Sequence, residues 1–466
     1  MNTITPILDP ESGKALYQQL YEYIREEISS GRLQKGTRLP SLRALASSLK
    51  ISITTVSLAY NQLLVEGYIT SREKSGYFVD VTGENIPTTL YSVPYLQDHI
   101  TTGEDIAEPF RYRDPALFDF VKWKKSLNYV FNEQTDLLTL EASPQGEYSL
   151  RTQICKYLYM TRGVVCVPEQ IVIAAGTQAI IGIACSILSG MGRKAVAYED
   201  PGYLPAVSVF RDRGFELHPA SIHKNGVSLE EIREIDPDVI CVSPSIQFPM
   251  GTVMPIGQRN ALIRFAAERG KIIIEDDYAS ELRYFGRPVP PLKTLSERAS
   301  VLYLGSFSSL LFPSLKISYM VLPPMMQPYL SGALENHTQT CSKTEQLALS
   351  AYIEKGLLQT HVKKLRSLYS QKVARVCSLL PEIFGDTVKV LSRESGLNML
   401  LEVCLPKDAE ALSRLASGIG IRMIPLDRYR TIKKDEGPST LIFYYSDIPL
   451  EELRPALEKL AEVWRL

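Results

Sequence analysis

Disulfide frameworks, zinc ribbons and membrane spans are all missing from this chain. Its seven cysteines, at 155, 166, 185, 241, 341, 377 and 404, include no CxxC and no pairing pattern. An odd number scattered in this way fits buried free thiols in a reducing compartment, so neither a stapled secreted domain nor a thiolate metal site is expected. No apolar stretch approaches the roughly 20 residues that span a bilayer. The opening MNTITPILDP lacks the basic and apolar regions of a signal peptide. A soluble, cytoplasmic protein without a membrane partner is expected. An excess of one charge is missing too: 51 Lys and Arg stand against 52 Asp and Glu in 466 residues. Any affinity for nucleic acid must therefore reside in a local patch. What is present is an ordinary globular composition, 45% hydrophobic and 22% charged, in a chain long enough for roughly two to four domains.

Residues 1–80 contain such a patch. Tyr17, Leu20, Tyr21, Ile24 and Ile28 recur at helical spacing within ALYQQLYEYIREEIS, which predicts a helix over 15–29 stopped by Gly31. SLRALASSLK predicts a second helix, capped by Ser41, with Leu42, Leu45 and Leu49 inward. Ser52 can cap a third that buries Val56, Ala59, Tyr60 and Leu63 and ends at Gly67. Tyr68–Thr70 and Tyr77–Val79 are β-prone runs around a basic tip. Three short helices and a hairpin is the order of a winged helix-turn-helix. That fold puts the start of its third helix in the major groove and its hairpin tip on the neighbouring backbone or minor groove. The candidate DNA surface is Arg38, Ser41 and Arg43 near helix two, Ser52, Thr54, Thr55 and Ser57 on helix three, and Arg72, Lys74 and Gly76 at the hairpin. Residues 14–79 carry nine basic side chains against five acidic ones, a net +4, with the acids mostly on the first helix. A basic reading side is what phosphate contact requires. The alternative is a small helical domain with a solvated basic face.

The stretch RLPSLRALASSLKISITTVSLAYNQLLVEGYITSREKSGYFV closely resembles the GntR-type DNA-binding domain. The resemblance implies double-stranded operator DNA as partner, with Arg43 clamping a phosphate and Arg38 nearby. Ile53 stands where family members usually carry Arg, and Ser75 where they carry Gly. These departures bear on the target sequence rather than on DNA binding itself.

From 81 to 106 the periodicity fades and Gly, Pro, Thr and acids accumulate, the signature of a linker. Residues 107–341 alternate amphipathic segments with the short apolar runs IVIAAG, KAVAYED, VICVSPS, KIIIEDDY, VLYLGSF and ISYMVLP, which predicts a mostly parallel α/β sheet. Residues 342–466 open with long helices and close with strand-like NMLLEVCL and TLIFYY and a last amphipathic helix, a smaller α+β domain. Open α/β sheets bind ligands at strand ends. There, Gly176–Thr177–Gln178 opens a helix whose N–H groups suit a phosphate, or simply makes a strand–helix turn. Asp276 and Tyr278 follow the strand KIII. A carboxylate there can hold a protonated ring nitrogen or cap a helix.

Taken in order, SPQGEYSLRTQICKYLYMTRGVVCVPEQIVIAAGTQAI, EDPGY, SPSIQFPMG, EDDYASELRYFGRPVPPL and GSFSSLLFPSLKISYMVLP resemble the fold type I aminotransferases. Their union with the N-terminal module resembles the MocR subfamily of GntR regulators, over nearly the whole chain. The resemblance implies a multidomain α/β protein, a head-to-tail homodimer, and a cleft for pyridoxal phosphate (PLP). In that cleft Asp276 would face the pyridine nitrogen, Tyr278 the phenolic oxygen, and Tyr203 would stack on the ring. Gly176, Thr177, Ser306 and Ser308 would cradle the phosphate.

The resemblance breaks where the family's chemistry resides. Its aldimine-forming lysine corresponds to Ser309, and a hydroxyl neither forms a Schiff base nor acts as the amine base of transamination. Lys316 stands in for a phosphate-binding Arg, keeping the charge without the bidentate fork. Its spacing fits a phosphate contact better than a substitute Schiff-base lysine, and Lys343 has no motif support. Ile246 occupies the place of a common His and Pro205 that of an occasional carboxylate-binding Arg. GPSTLIFYYSDIP contains no Arg to grip a substrate carboxylate. The resulting expectation is a DNA-binding transcription regulator and not an enzyme, with no catalytic residue and no metal ligand. Its body would dimerise and sense a small-molecule effector, with PLP held non-covalently or not at all. The alternatives are an active PLP-dependent aminotransferase with an accessory DNA domain, and a constitutive DNA-binding dimer with a ligand-free body.

Overall fold

The computed structural model describes residues 4–6, 8–9, 12–72, 75–81, 114, 117–284, 289–295, 298–393, 397–432 and 437–465. The chain divides into two units, Met1–Ala107 and Glu108–Leu466. Nearly all of the expected linker, and Lys74, lie outside the described residues.

In the first unit, α1 (Leu16–Ser29), α2 (Leu42–Leu49) and α3 (Ile53–Val65) precede β1 (Ile69–Arg72) and β2 (Gly76–Val79). Leu20, Ile24 and Ile28 of α1 bury completely in one core with Val56, Ala59, Tyr60 and Leu63 of α3. At about 1.5–3 kcal/mol for each large apolar side chain, this seam holds α1 to α3, and Leu45 of α2 buries in the same core. Ser41 Oγ accepts the Ala44 N–H at 3.2 Å, and Ser52 Oγ accepts the Thr55 N–H at 3.0 Å, so both expected caps form. Lys50 takes a left-handed conformation (φ 54°) in the turn between α2 and α3. The Tyr60 hydroxyl donates to the Pro40 carbonyl at 3.0 Å, which fixes the loop between Arg38 and α2 to α3. β1 and β2 pair antiparallel, Ile69 opposite Val79 and Arg72 opposite Gly76.

In the second unit, β3 (Ile171–Ala175), β4 (Ala195–Asp200), β5 (Glu216–His223), β6 (Gly226–Val227), β7 (Val239–Val242), β8 (Ile272–Asp276), β9 (Ser300–Ser306) and β10 (Ile317–Val321) form one sheet, in the order β3-β10-β9-β8-β7-β4-β5-β6. The run from β9 to β5 is parallel, β10 is antiparallel to both its neighbours, and β6 folds back on β5. Both faces are covered, as a parallel sheet requires. Val172 and Ala174 pack with the helix Gly176–Gly190, while Ile171 and Ile173 pack with the helix Tyr148–Arg162 on the other side.

A second sheet, antiparallel and ordered β11 (Val388–Ser392), β12 (Met399–Val403), β14 (Ser439–Phe443), β13 (Met423–Pro425), packs on the helices Ala409–Gly418 and Leu453–Arg465. The 28-residue helix Leu357–Phe384 serves both bodies. Leu358, Leu365 and Tyr369 join the core of the large sheet, whereas Val373, Val376, Leu379 and Leu380 join that of the small one. The two cores therefore meet inside one helix, beyond residue 342. At that point the fully buried Lys372 ammonium lies 2.6 Å from the Asp114 carboxylate and donates to the Ser446 carbonyl at 2.7 Å.

No helix among the described residues is long and apolar enough to cross a membrane. All seven cysteines are free, but only Cys185 and Cys341 are buried, and Cys404 is exposed. The expectation of uniformly buried thiols is thereby corrected: Cys155, Cys166, Cys241 and Cys377 pack at the margins of their cores and stay half-buried, and Cys404 lies outside them.

Candidate functional site

On the first unit, Ser52, Ile53 and Thr54 are exposed at the opening turn of α3, and Arg38, Ser41 and Arg43 lie near α2 with Ser41 and Arg43 flanking its first residue. The Thr55 hydroxyl lies 2.8 Å from Ser52 Oγ and belongs to the cap, and Ser57 is half-buried. Arg38 bridges to Phe78, and its Nε lies 3.6 Å from where a Cβ on Gly76 would sit. Gly76 itself has φ +106°, a conformation that favours glycine. The Arg72 guanidinium lies 4.7 Å above the Phe78 ring, a cation–π contact. Arg38, Arg72 and Gly76 therefore gather beside Phe78, towards the turn of the hairpin. Arg32 and Lys35 are neutralised by Glu27 and Asp80. Among the described residues no carboxylate pairs with Arg38, Arg43 or Arg72, which leaves three guanidinium groups for phosphates.

On the second unit, the expected cleft residues gather at the ends of β3, β8 and β9. Gly176 (φ +84°) opens the helix Gly176–Gly190, whose first N–H groups have no partner within the helix. The stem of Lys316 lies against it, with Cδ 3.8 Å from the place of a Gly176 Cβ. Thr177 is half-buried in the same turn. Gln178 Nε2 donates to the Pro205 carbonyl at 3.2 Å, which ties that turn to the helix Leu204–Asp212. Ser306 Oγ accepts the Ser308 N–H at 3.3 Å and lies 3.0 Å from Ser318 Oγ. The hydroxyl oxygens of Ser308 and Ser309 are buried with no hydrogen-bond partner among the described residues. A buried hydroxyl without a partner is costly, so two together mark a place where a polar ligand would be favoured.

The Asp276 carboxylate, at the end of β8, has no hydrogen bond or ion pair among the described residues, and burial together with neighbouring Asp277 pushes it up to about 7. Asp277 is saturated instead. It accepts from Arg162 Nε at 2.7 Å and Nη2 at 3.0 Å, from the Tyr303 hydroxyl at 2.5 Å, and from Ser280 at 3.0 Å. Arg162 Nη2 also reaches Ser245 Oγ at 3.1 Å. Tyr203 (37% exposed), Tyr278 and Tyr429 set their rings edge-on to Phe248, with centroids 6.2, 6.3 and 4.9 Å away. Burial holds the Tyr278 phenol well above its ordinary value, against the pull of Arg422 from the small body. Burial also pushes Glu199, at the end of β4, up to about 8. A Cβ on Gly202 would collide with the Glu199 carbonyl, so the EDPGY turn requires glycine there. Asp200 accepts the Thr431 and Ile432 N–H groups at 2.8 and 3.1 Å, anchoring the loop that brings in Tyr429. Ile246 is buried packing.

Sequence reasoning missed Arg162, Glu199, Phe248, Arg422 and Tyr429. Arg162 and Asp277 are 115 residues apart, and no local pattern joins them. The aromatic in SPSIQFPMG was the one legible signal, since that motif already lay at a strand end.

Residues 16–79 match the model of bacterial regulatory proteins of the gntR family, and residues 112–460 match that of aminotransferase class I and II. YdeL, an HTH-type transcriptional regulator of Bacillus subtilis (strain 168), is 36% identical over 99% of this chain and 100% of its own. The probable rhizopine catabolism regulatory protein MocR of Rhizobium meliloti is 32% identical over 91% of this chain and 88% of its own. Among solved structures, LysN, an alpha-aminoadipate aminotransferase of Thermus thermophilus, matches with a TM-score of 0.66 at 22% identity. The match covers 76% of this chain and 90% of the other, a likeness of fold alone.

Proposed function

Because the chain belongs to the GntR-type bacterial regulators whose body is an aminotransferase class I and II domain, the MocR type, we propose that it reads operator DNA in the cytoplasm as a head-to-tail homodimer and senses a small molecule without transaminating it. The observation that carries the second half is Ser309. The resemblance aligns it with the family's lysine, and its hydroxyl, buried without a partner among the described residues, supports a pocket that holds a ligand there without an amine. A hydroxyl cannot hold an aldehyde as an imine or serve as the amine base.

The residues fit PLP held without a covalent bond. The start of the helix Gly176–Gly190, Lys316 and the orphan hydroxyls of Ser308 and Ser309 suit a phosphate. The open Asp276 carboxylate suits a protonated ring nitrogen, whose charge would draw its proton affinity back down. Bound PLP supplies an electron sink in enzymes; here the protein's groups bind and orient it, and residue 309 offers no amine. For the dimer, Phe120, Val121, Phe131, Leu137 and Leu140 expose apolar surface of the kind that subunit contacts cover. An effector that binds two arrangements of the body unequally would re-space two winged helices over a bipartite operator.

The test is the absorbance spectrum of the purified full-length protein with PLP, followed by borohydride reduction and intact mass. The expected result is saturable binding that dialyses away and leaves no reduced adduct. A PLP adduct fixed on Lys316 or another lysine would restore the aminotransferase reading. Absence of any saturable thermal stabilisation by PLP or a metabolite panel would favour a ligand-free body.

A further inference from the structure

We propose that Cys155 and Cys166 form a reversible thiol–disulfide site on the body, taking a low-molecular-weight disulfide as its reaction partner. Cys155 sits in the middle of the helix Tyr148–Arg162, and Cys166 lies four residues beyond its end. Gly163, with φ +69°, turns the chain back at the helix end. The two sulfurs consequently meet at 3.7 Å across an 11-residue separation. That is thiol–thiol contact, the arrangement from which a bond of about 2.05 Å closes. Both cysteines are half-buried, and Val165 and Val167, on either side of Cys166, are 78% and 51% exposed. The pair is therefore packed yet reachable. In reducing compartments such pairs stand as dithiols, and those that oxidise do so transiently as sensors.

The two thiols are not equivalent. A Cys166 thiolate can accept the Cys155 S–H and feels the Lys293 ammonium, which favours it, whereas the neighbouring sulfur and burial push Cys155 up. Cys166, on the segment between exposed Val165 and Val167 and near the Lys293 ammonium, is the sulfur a small disulfide reaches first and so the attacking one. Its thiolate displaces one half of RS–SR, forming a mixed disulfide and releasing RS⁻. Cys155 then gives its proton to that thiolate and attacks Cys166 Sγ, expelling the second RS⁻, which takes the proton Cys166 had lost. Two S–H bonds and one RS–SR become the Cys155–Cys166 bond and two RSH, so two electrons pass to the small disulfide. The bridge would staple the helix that ends in Arg162, the partner of Asp277, to the segment leading into β3 and Gly176.

The experiment incubates the full-length protein with oxidised glutathione, blocks remaining thiols with N-ethylmaleimide, and maps peptides by mass. Peptides holding residues 155 and 166 should be recovered joined, two hydrogen masses light, and should separate on reduction. Cys404→Ser should leave the link intact, and Cys155→Ser should trap glutathione on Cys166. Recovery of both Cys155 and Cys166 as maleimide adducts while Cys404 is glutathionylated would overturn the proposal. So would an unmodified Cys166 in the Cys155→Ser variant. The wild-type map decides the matter by itself if either variant fails to fold.

Discussion

Asp276 and Asp277 are adjacent and chemically identical, yet one is saturated with donors and the other faces the cleft. Alternation along a strand causes this, because neighbouring side chains leave on opposite faces. Asp276→Asn should weaken PLP binding by about tenfold, the loss of one charge-assisted contact, while leaving stability unchanged or raised, since a half-buried carboxylate without a partner among the described residues is removed. Spectroscopic titration alongside thermal melting checks both arms, and equal PLP affinity would refute the role of Asp276. On the DNA side, Arg43→Ala should reduce operator affinity and lower the salt slope by about 1; an unchanged slope in binding assays at several salt concentrations would remove Arg43 from the phosphate set. Arg43 and Asp276 could be singled out as candidates in the sequence because each sits inside a local pattern. The Arg162 that disciplines Asp277 was not, because only the fold brings it near.

At the scale of elements, Ser52 caps α3 and is also exposed at its start, on the edge proposed to read DNA. Ser52→Ala should cost the N-terminal unit about 1 kcal/mol in a denaturant titration. Ser52→Asp should keep the cap and the stability but repel phosphate, so its operator affinity should fall by more than that of the Ala variant. Equal affinities would mean that Ser52 only caps. All three helices of this unit were legible from their apolar period, and α2 and α3 also from their serine caps. The same holds for β3, β4, β7, β8, β9 and β10, whose buried faces force continuous apolar runs. β5 was not legible: it lies towards the edge of the sheet, and most of ELHPASIH is only partly buried. β13 was not either, since three residues carry no period.

For the molecule as a whole, Glu199, Glu275 and Asp276 crowd protonatable groups at the ends of β4 and β8, pushed up to about 8, 7 and 7, each chiefly by burial. A carboxyl whose folded value exceeds its unfolded one holds extra protons in the folded state. Its contribution to stability is complete below about pH 4–5 and is lost as pH rises through roughly 7 to 8. Glu199→Gln should therefore flatten the fall in the thermal midpoint of the body between about pH 5 and 8.5. Parallel curves for the two proteins would argue against burial of that charge. The division into a DNA reader and a sheet-bearing body was readable from periodicity and motif order. The sharing of one helix by two cores was not, because its apolar positions continue unbroken from Leu358 to Phe384. At the joint between those cores, Lys372 holds both Asp114 and Ser446, and Asp114 stands early in the body, on the side of the chain that arrives from the winged helix. A cord tied to the rim of a wheel is dragged around by it, whereas one tied at the axle is twisted. Lys372 fastens the chain at Asp114 to that axle, where the large and small cores meet, and not to the rim of either.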